Sequence, residues 1–128
     1  MKMLYTVGPA MLAGAVIGAA AINGLQAQNR AHGAYVIIDI SNYTDRDTFM
    51  RQMAPGATVD PYNGKFLTRS EKITAIDGTP PKRFVIIGFD SLERAKAWDA
   101  SAAQKDADSR RQKFTTSRAF IVEAEGAN

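Results

Sequence analysis

Apolar and polar positions along this chain fall into short blocks of two kinds. Ala34–Ile40 (AYVIIDI) and Arg83–Phe89 (RFVIIGF) are dense in β-branched and aromatic residues and predict strands. After the first run, Asn42-Tyr43-Thr44 leads into a helix. Thr44 is the expected N-cap, Asp45 and Asp47 lie where negative charge suits the helix dipole, and Thr44 with Asp47 imitates a capping box. Phe49, Met50 and Met53 share one face of that helix, and Pro55-Gly56 ends it. Asn63-Gly64 is a turn signal. Lys65–Ile76 (KFLTRSEKITAI) alternates loosely and predicts an exposed strand, bent near Ser70. The Asp77–Pro81 loop joins it to RFVIIGF as a hairpin. Ser91 is a second N-cap, with Glu93 in the first turn and Leu92, Ala95 and Trp98 spaced for one buried face. Ser101 caps a polar, helix-friendly continuation over Ala102–Lys113, and Ala119–Ala124 (AFIVEA) is the last strand.

The order β-α-β-β-α-β suits a four-stranded antiparallel sheet with its helices on one face, the ferredoxin-like α+β arrangement. The strand runs VII and FVII are continuously apolar, which implies burial on both faces of the sheet. Helices cover only one. In a domain this small the remaining cover is a second copy, so a homodimer packed sheet against sheet is expected.

The N-terminal pattern is different. Lys2 is followed by an uncharged stretch to Ile22, a break at Asn23-Gly24, and small residues around Ala27. This is the order of a secretory signal, with residues 1–27 as the leader. The run is also long enough for a retained membrane anchor, and Gly14 and Gly18 would suit helix pairing. The expected organisation is therefore a signal peptide or anchor over 1–27, a loose segment over 28–33, one domain over 34–125 and a tail over 126–128. The matching location is periplasmic or secreted, or inner-membrane anchored if the leader stays. Sixteen basic and thirteen acidic residues give a net +3; without Lys2 the balance is +2. So weak and interleaved a charge argues against a nucleic-acid partner, the Arg110, Arg111 and Lys113 cluster reading as a solvated helix face. The chain has no cysteine, which excludes disulfides and thiolate chemistry.

Four pieces resemble domain-of-unknown-function family 1330 of the dimeric α+β barrel superfamily: AYVIIDI with its Tyr-containing turn, GKFLTRSEKITAIDG, RFVIIGFDSLERAKAW and SRAFIVEA. The resemblance implies a ferredoxin-like fold and a homodimer, and no established activity. Asp99 and Ala102–Gln104 stand where relatives commonly carry aromatics, and Ser70-Glu71 where they carry a glycine pair, so a pocket here would differ in shape.

Arg69, in the second strand, matches a family feature, and its guanidinium could fork onto a carboxylate ligand. Asp39 interrupts an apolar strand on the face that carries Tyr35 and Ile37. Buried without a partner, it would be a candidate base, with Tyr35 supplying a hydroxyl to the same pocket. Asp39 and Arg69 are thus the catalytic candidates, and Tyr35 and Arg69 the ligand-binding ones. His32, the single histidine, lies before the first strand and is a poor haem ligand. With no carboxylate cluster at ligand spacing, neither a metal nor a cofactor is expected. Two functions follow. One is a non-catalytic dimeric domain that binds a small apolar or weakly acidic molecule or serves as an interaction module. The other is a cofactor-independent enzyme of monooxygenase or isomerase type, with Asp39 or Arg69 handling proton and charge in the barrel cavity. Enzyme action requires Asp39 enclosed beside Arg69 or Tyr35; a structural role leaves it paired or solvated.

Overall fold

A computed structural model describes residues 32–53 and 57–125; the leader, Pro55-Gly56 and the tail lie outside the described residues. Four antiparallel strands form one sheet: β1 (Ala34–Tyr43), β2 (Lys65–Ser70), β3 (Arg83–Phe89) and β4 (Thr115–Glu123). Their order is β2-β3-β1-β4, so the two most apolar strands, β1 and β3, are central, as a ferredoxin-like sheet requires. Three α-helices accompany them among the described residues: α1 (Arg46–Gln52), α2 (Leu92–Ala100) and α3 (Ala102–Phe114).

The central pair sets the layering. β1 and β3 run in register from Ala34 opposite Phe89 to Ile40 opposite Arg83. Side chains alternate across a strand, so Ala34, Val36, Ile38 and Ile40 share one face with Arg83, Val85, Ile87 and Phe89. These eight positions turn toward the helices, and all but Ile38 are buried. The other face carries Tyr35, Ile37, Asp39, Phe84 and Ile86, which are half-buried, and Phe120 and Val122, which are 44% and 45% exposed. Among the described residues no helix lies on that face, which is why its apolar residues stay accessible.

The helix layer is anchored by α2. Ser91 caps it by accepting from the Arg94 N–H, and Ala95 and Trp98 are buried against the sheet. The Trp98 ring lies 5.3 Å from the Phe89 ring, centroid to centroid, and its indole N–H donates to Thr58 Oγ1 at 3.1 Å. Ser101 ends α2 and caps α3, accepting from the Gln104 N–H.

Three local expectations are corrected. The cap of α1 is Asp45 rather than Thr44, because the Asp45 carboxylate reaches both the N–H and the hydroxyl of Thr48. β2 ends at Ser70 instead of running to Ile76; its pairing with β3 stops at the Ser70–Phe84 pair, and 71–82 form no regular element. β4 begins at Thr115, four residues before the apolar AFIVEA, because the polar residues Thr115–Arg118 also pair with β1.

The Asn63-Gly64 turn does more than reverse the chain. Asn63 takes the left-handed conformation (φ 59°), and Gly64 is buried against Phe89. A Cβ on Gly64 would stand 2.8 Å from the Phe89 ring and 3.1 Å from Val59 Cβ. Phe89 is wholly buried against Trp98 and has nowhere to yield. Gly64→Ala is therefore expected to cost about 1–3 kcal/mol by overpacking, read as a lower midpoint in thermal unfolding; an unchanged midpoint would show that the ring can shift freely.

Candidate functional site

Between the sheet and the helices lies an open-sided cavity of about 170 Å³. Its floor is the covered face of β1 and β3, with Ile38, Ile40, Val85 and Ile87; Phe49, Phe66 and Trp98 add aromatic walls. Arginines enter from three elements. Arg69 comes from β2, Arg83 from β3, and Arg110 and Arg111 from α3, with Gln52, Thr58 and Gln104 between them. The described lining residues include neither a carboxylate nor a histidine.

The four arginines differ in how their charge is met. Arg110 pairs with Asp106 one helical turn away. Arg111 meets Asp108 at 3.3 Å and donates to Ser117 Oγ at 2.6 Å. Among the described residues, Arg69 and Arg83 have no ion pair. Arg69 is exposed and stacks over Phe66, its guanidinium carbon 4.6 Å from the ring centroid. Arg83 is 7% exposed, and its Nε–H is buried without an acceptor. The register explains how the two come together. Arg69 pairs with Val85, two residues beyond Arg83 on the same face, so they are diagonal neighbours on adjacent strands.

Past the strand ends a charged cluster joins three segments. Glu71 receives Arg46 as a fork, from Nε at 2.9 Å and from the second terminal nitrogen at 2.5 Å, and it accepts from the Tyr43 hydroxyl at 2.9 Å. The Arg46 fork holds the Glu71 carboxyl down at about 2, with Tyr43 helping. Burial, and then the bond to Glu71, raises the Tyr43 hydroxyl above its ordinary value. The fields of Glu71 and Arg83 reach each other without an ion pair.

The sequence candidates divide between the two faces of the sheet. Arg69 lines the cavity. Tyr35 and Asp39 lie on the opposite, helix-free face, and Asp39 accepts from Arg118 Nε at 3.2 Å. Within the chain, then, neither Asp39 nor Tyr35 shares a cavity with Arg69, and Asp39 is paired. A second, larger groove of about 490 Å³ runs along α3 and β4, but its charged groups Asp99, Asp108, Arg111 and Arg118 are all engaged in ion pairs. Arg83 went unnoticed in the sequence. The available signal was period two: it shares a face with Val85, Ile87 and Phe89, so a charge was entering a buried row.

The Glu71 cluster generates a pH prediction. Its carboxyl sits lower in the folded chain than the ordinary 4.5, so its contribution is full above that value and is lost as pH falls toward about 2. Glu71→Gln should lower stability at neutral pH by about 1 kcal/mol or less, as for a surface pair. The gap to wild type should close between pH 4.5 and 2 in denaturant titrations; a gap constant with pH would show that the carboxylate charge is not what Arg46 and Tyr43 hold.

A family model described as a domain of unknown function (DUF1330) matches residues 33–125. Among solved structures, a protein of unknown function from Rhodopseudomonas palustris is similar at 14% identity and a TM-score of 0.53, over 79% of this chain and 92% of that one. SnoaB, a cofactor-independent oxygenase from Streptomyces nogalater, is similar at 13% identity and a TM-score of 0.52, over 74% and 95%. No curated protein matches. At these identities the structural likeness speaks for the fold alone, whereas the family match covers the whole sheet and its helices: the chain belongs to the DUF1330 family.

Proposed function

We propose that this protein is an exported, homodimeric domain that binds a small molecule in the cavity between its sheet and helices and catalyses no reaction of its own. The observation that carries the reading is the cavity itself, an apolar floor with arginines in its wall. Binding sites are commonly concave and mostly apolar, with a few convergent polar groups. The fold it shares with the oxygenase SnoaB makes a cofactor-independent oxygenase or isomerase the competing reading. That chemistry calls for a group facing the substrate that can accept its proton. The described lining holds no carboxylate or histidine, and Asp39 faces the other way in a pair with Arg118.

Dimerisation rests on the open face. Tyr35, Ile37, Phe84, Ile86, Phe120 and Val122 form an apolar surface on the two central strands and the β4 edge. A second copy meeting it face to face would cover both surfaces at once, and the continuous apolar runs of β1 and β3 are what such double cover requires. Export rests on the order of charge, apolar run and small residues in 1–27.

Native mass spectrometry of the full chain expressed with its leader in a bacterial host tests these points together. The expected species is a dimer lacking residues 1–27, and Ile86→Asp, at the centre of the open face, should shift it to monomer. A wild-type monomer at tens of micromolar would overturn the sheet-to-sheet pairing, and an intact leader would overturn secretion as a cleaved protein.

A further inference from the structure

Arg83 is the least expected residue in the covered layer. A guanidinium is always charged, and burying a charge without a partner costs several kcal/mol. Yet Arg83 is 7% exposed, makes no side-chain hydrogen bond or ion pair among the described residues, and keeps its Nε–H without an acceptor. The nearby carboxylate, Glu71, is already forked by Arg46 and bonded by Tyr43. Arg110 and Arg111 are offset by Asp106 and Asp108, so the unmet charge of the cavity belongs to Arg83, reinforced by Arg69 on the neighbouring strand.

We infer that Arg83 is the anchor for a ligand carboxylate, and that the cavity takes a small aromatic monocarboxylic acid with its ring on the apolar floor. The inference rests on the small-molecule reading above and names the ligand class. Size sets the ring: about 170 Å³ is close to the roughly 150 Å³ of an apolar cavity that accepts benzene. Charge sets the head group. The planar guanidinium fork matches a carboxylate, and the field of Glu71 at the same end weighs against a doubly charged phosphate. Phe49, Phe66 and Trp98 supply the aromatic walls.

The probes are benzoate and its neutral counterpart benzyl alcohol, followed by calorimetry and by NMR shifts at Val85 and the Trp98 indole. Wild type should prefer benzoate by about tenfold or more, as for a hydrogen bond to a charged group. Arg83→Met, which keeps the aliphatic stem, should weaken benzoate by a similar factor, leave benzyl alcohol within about twofold, and melt higher than ligand-free wild type because a buried unpaired charge is gone. Lys72→Met, in the exposed segment after β2, removes the same charge and should change nothing. Equal binding of both probes, unaltered by Arg83→Met, would overturn the anion site and leave the small-molecule reading standing. Binding of neither at millimolar concentration would overturn the small-molecule reading as well. Should Arg83→Met fail to fold, wild type with benzoate against benzamide decides the same question.

Discussion

The antiparallel register between β1 and β3 is the constraint on which the other features depend. Ala34 faces Phe89, and six residues further along Ile40 faces Arg83. Because the side-chain period of a strand is two, a slip of β1 by one residue against β3 would turn every β1 side chain to the other face. The covered layer would then receive Tyr35, Ile37 and Asp39, while Ala34, Val36 and Ile40 would face outward. The register is held by hydrophobic burial on the covered side, where Trp98 packs on Phe89 and α2 closes over the central strands. The same register carries Arg83 into a layer where no other strand residue of β1 or β3 is charged.

The sheet keeps its charges on opposite terms. On the open face Asp39 meets Arg118 directly, one strand away, in a pair that is half in water. On the covered face Arg69 rests its guanidinium on an aromatic ring, and Arg83 has no ion pair among the described residues. A folded domain retains an unmet buried charge at the expense of its own stability, and functional sites are where such departures from good packing accumulate. The apolar floor and the arginine wall are therefore parts of one arrangement. An apolar floor lowers the local dielectric, and beside it a guanidinium–carboxylate contact would be stronger than at the surface.

The irregular segment after β2 has its own anchor. Glu71 receives Arg46 from the first turn of α1 and the hydroxyl of Tyr43 from the end of β1, tying the chain after β2 to the β1–α1 junction more than twenty residues earlier. It draws the end of β2 toward the start of α1, beside the strand position from which Arg83 enters the cavity. An ion pair at this place positions chain more than it stabilises it, since each partner is substantially exposed.

The elements were legible in the sequence because each depends on neighbouring residues. The strands AYVIIDI and RFVIIGF, the Ser91 and Ser101 caps, the Asn63-Gly64 turn and the Leu92, Ala95 and Trp98 face are local patterns, and their order already implies the four-stranded ferredoxin-like sheet. Continuous apolar runs likewise announced a sheet with something to cover on both sides. Legibility ended where two distant segments had to meet. The sequence could mark Arg69, Asp39 and Tyr35 as unusual, but only the register decides that Arg69 enters the cavity while Asp39 and Tyr35 face away from it. It could show Arg83 opening a strand, but not that Nε would be buried without an acceptor. It could place Glu71 in an exposed strand, but not show that the strand would stop before it and that Arg46 would fork onto it. Local propensity is a property of a few consecutive residues; burial and charge pairing are properties of contacts made across the fold, and only the tertiary structure assigns them.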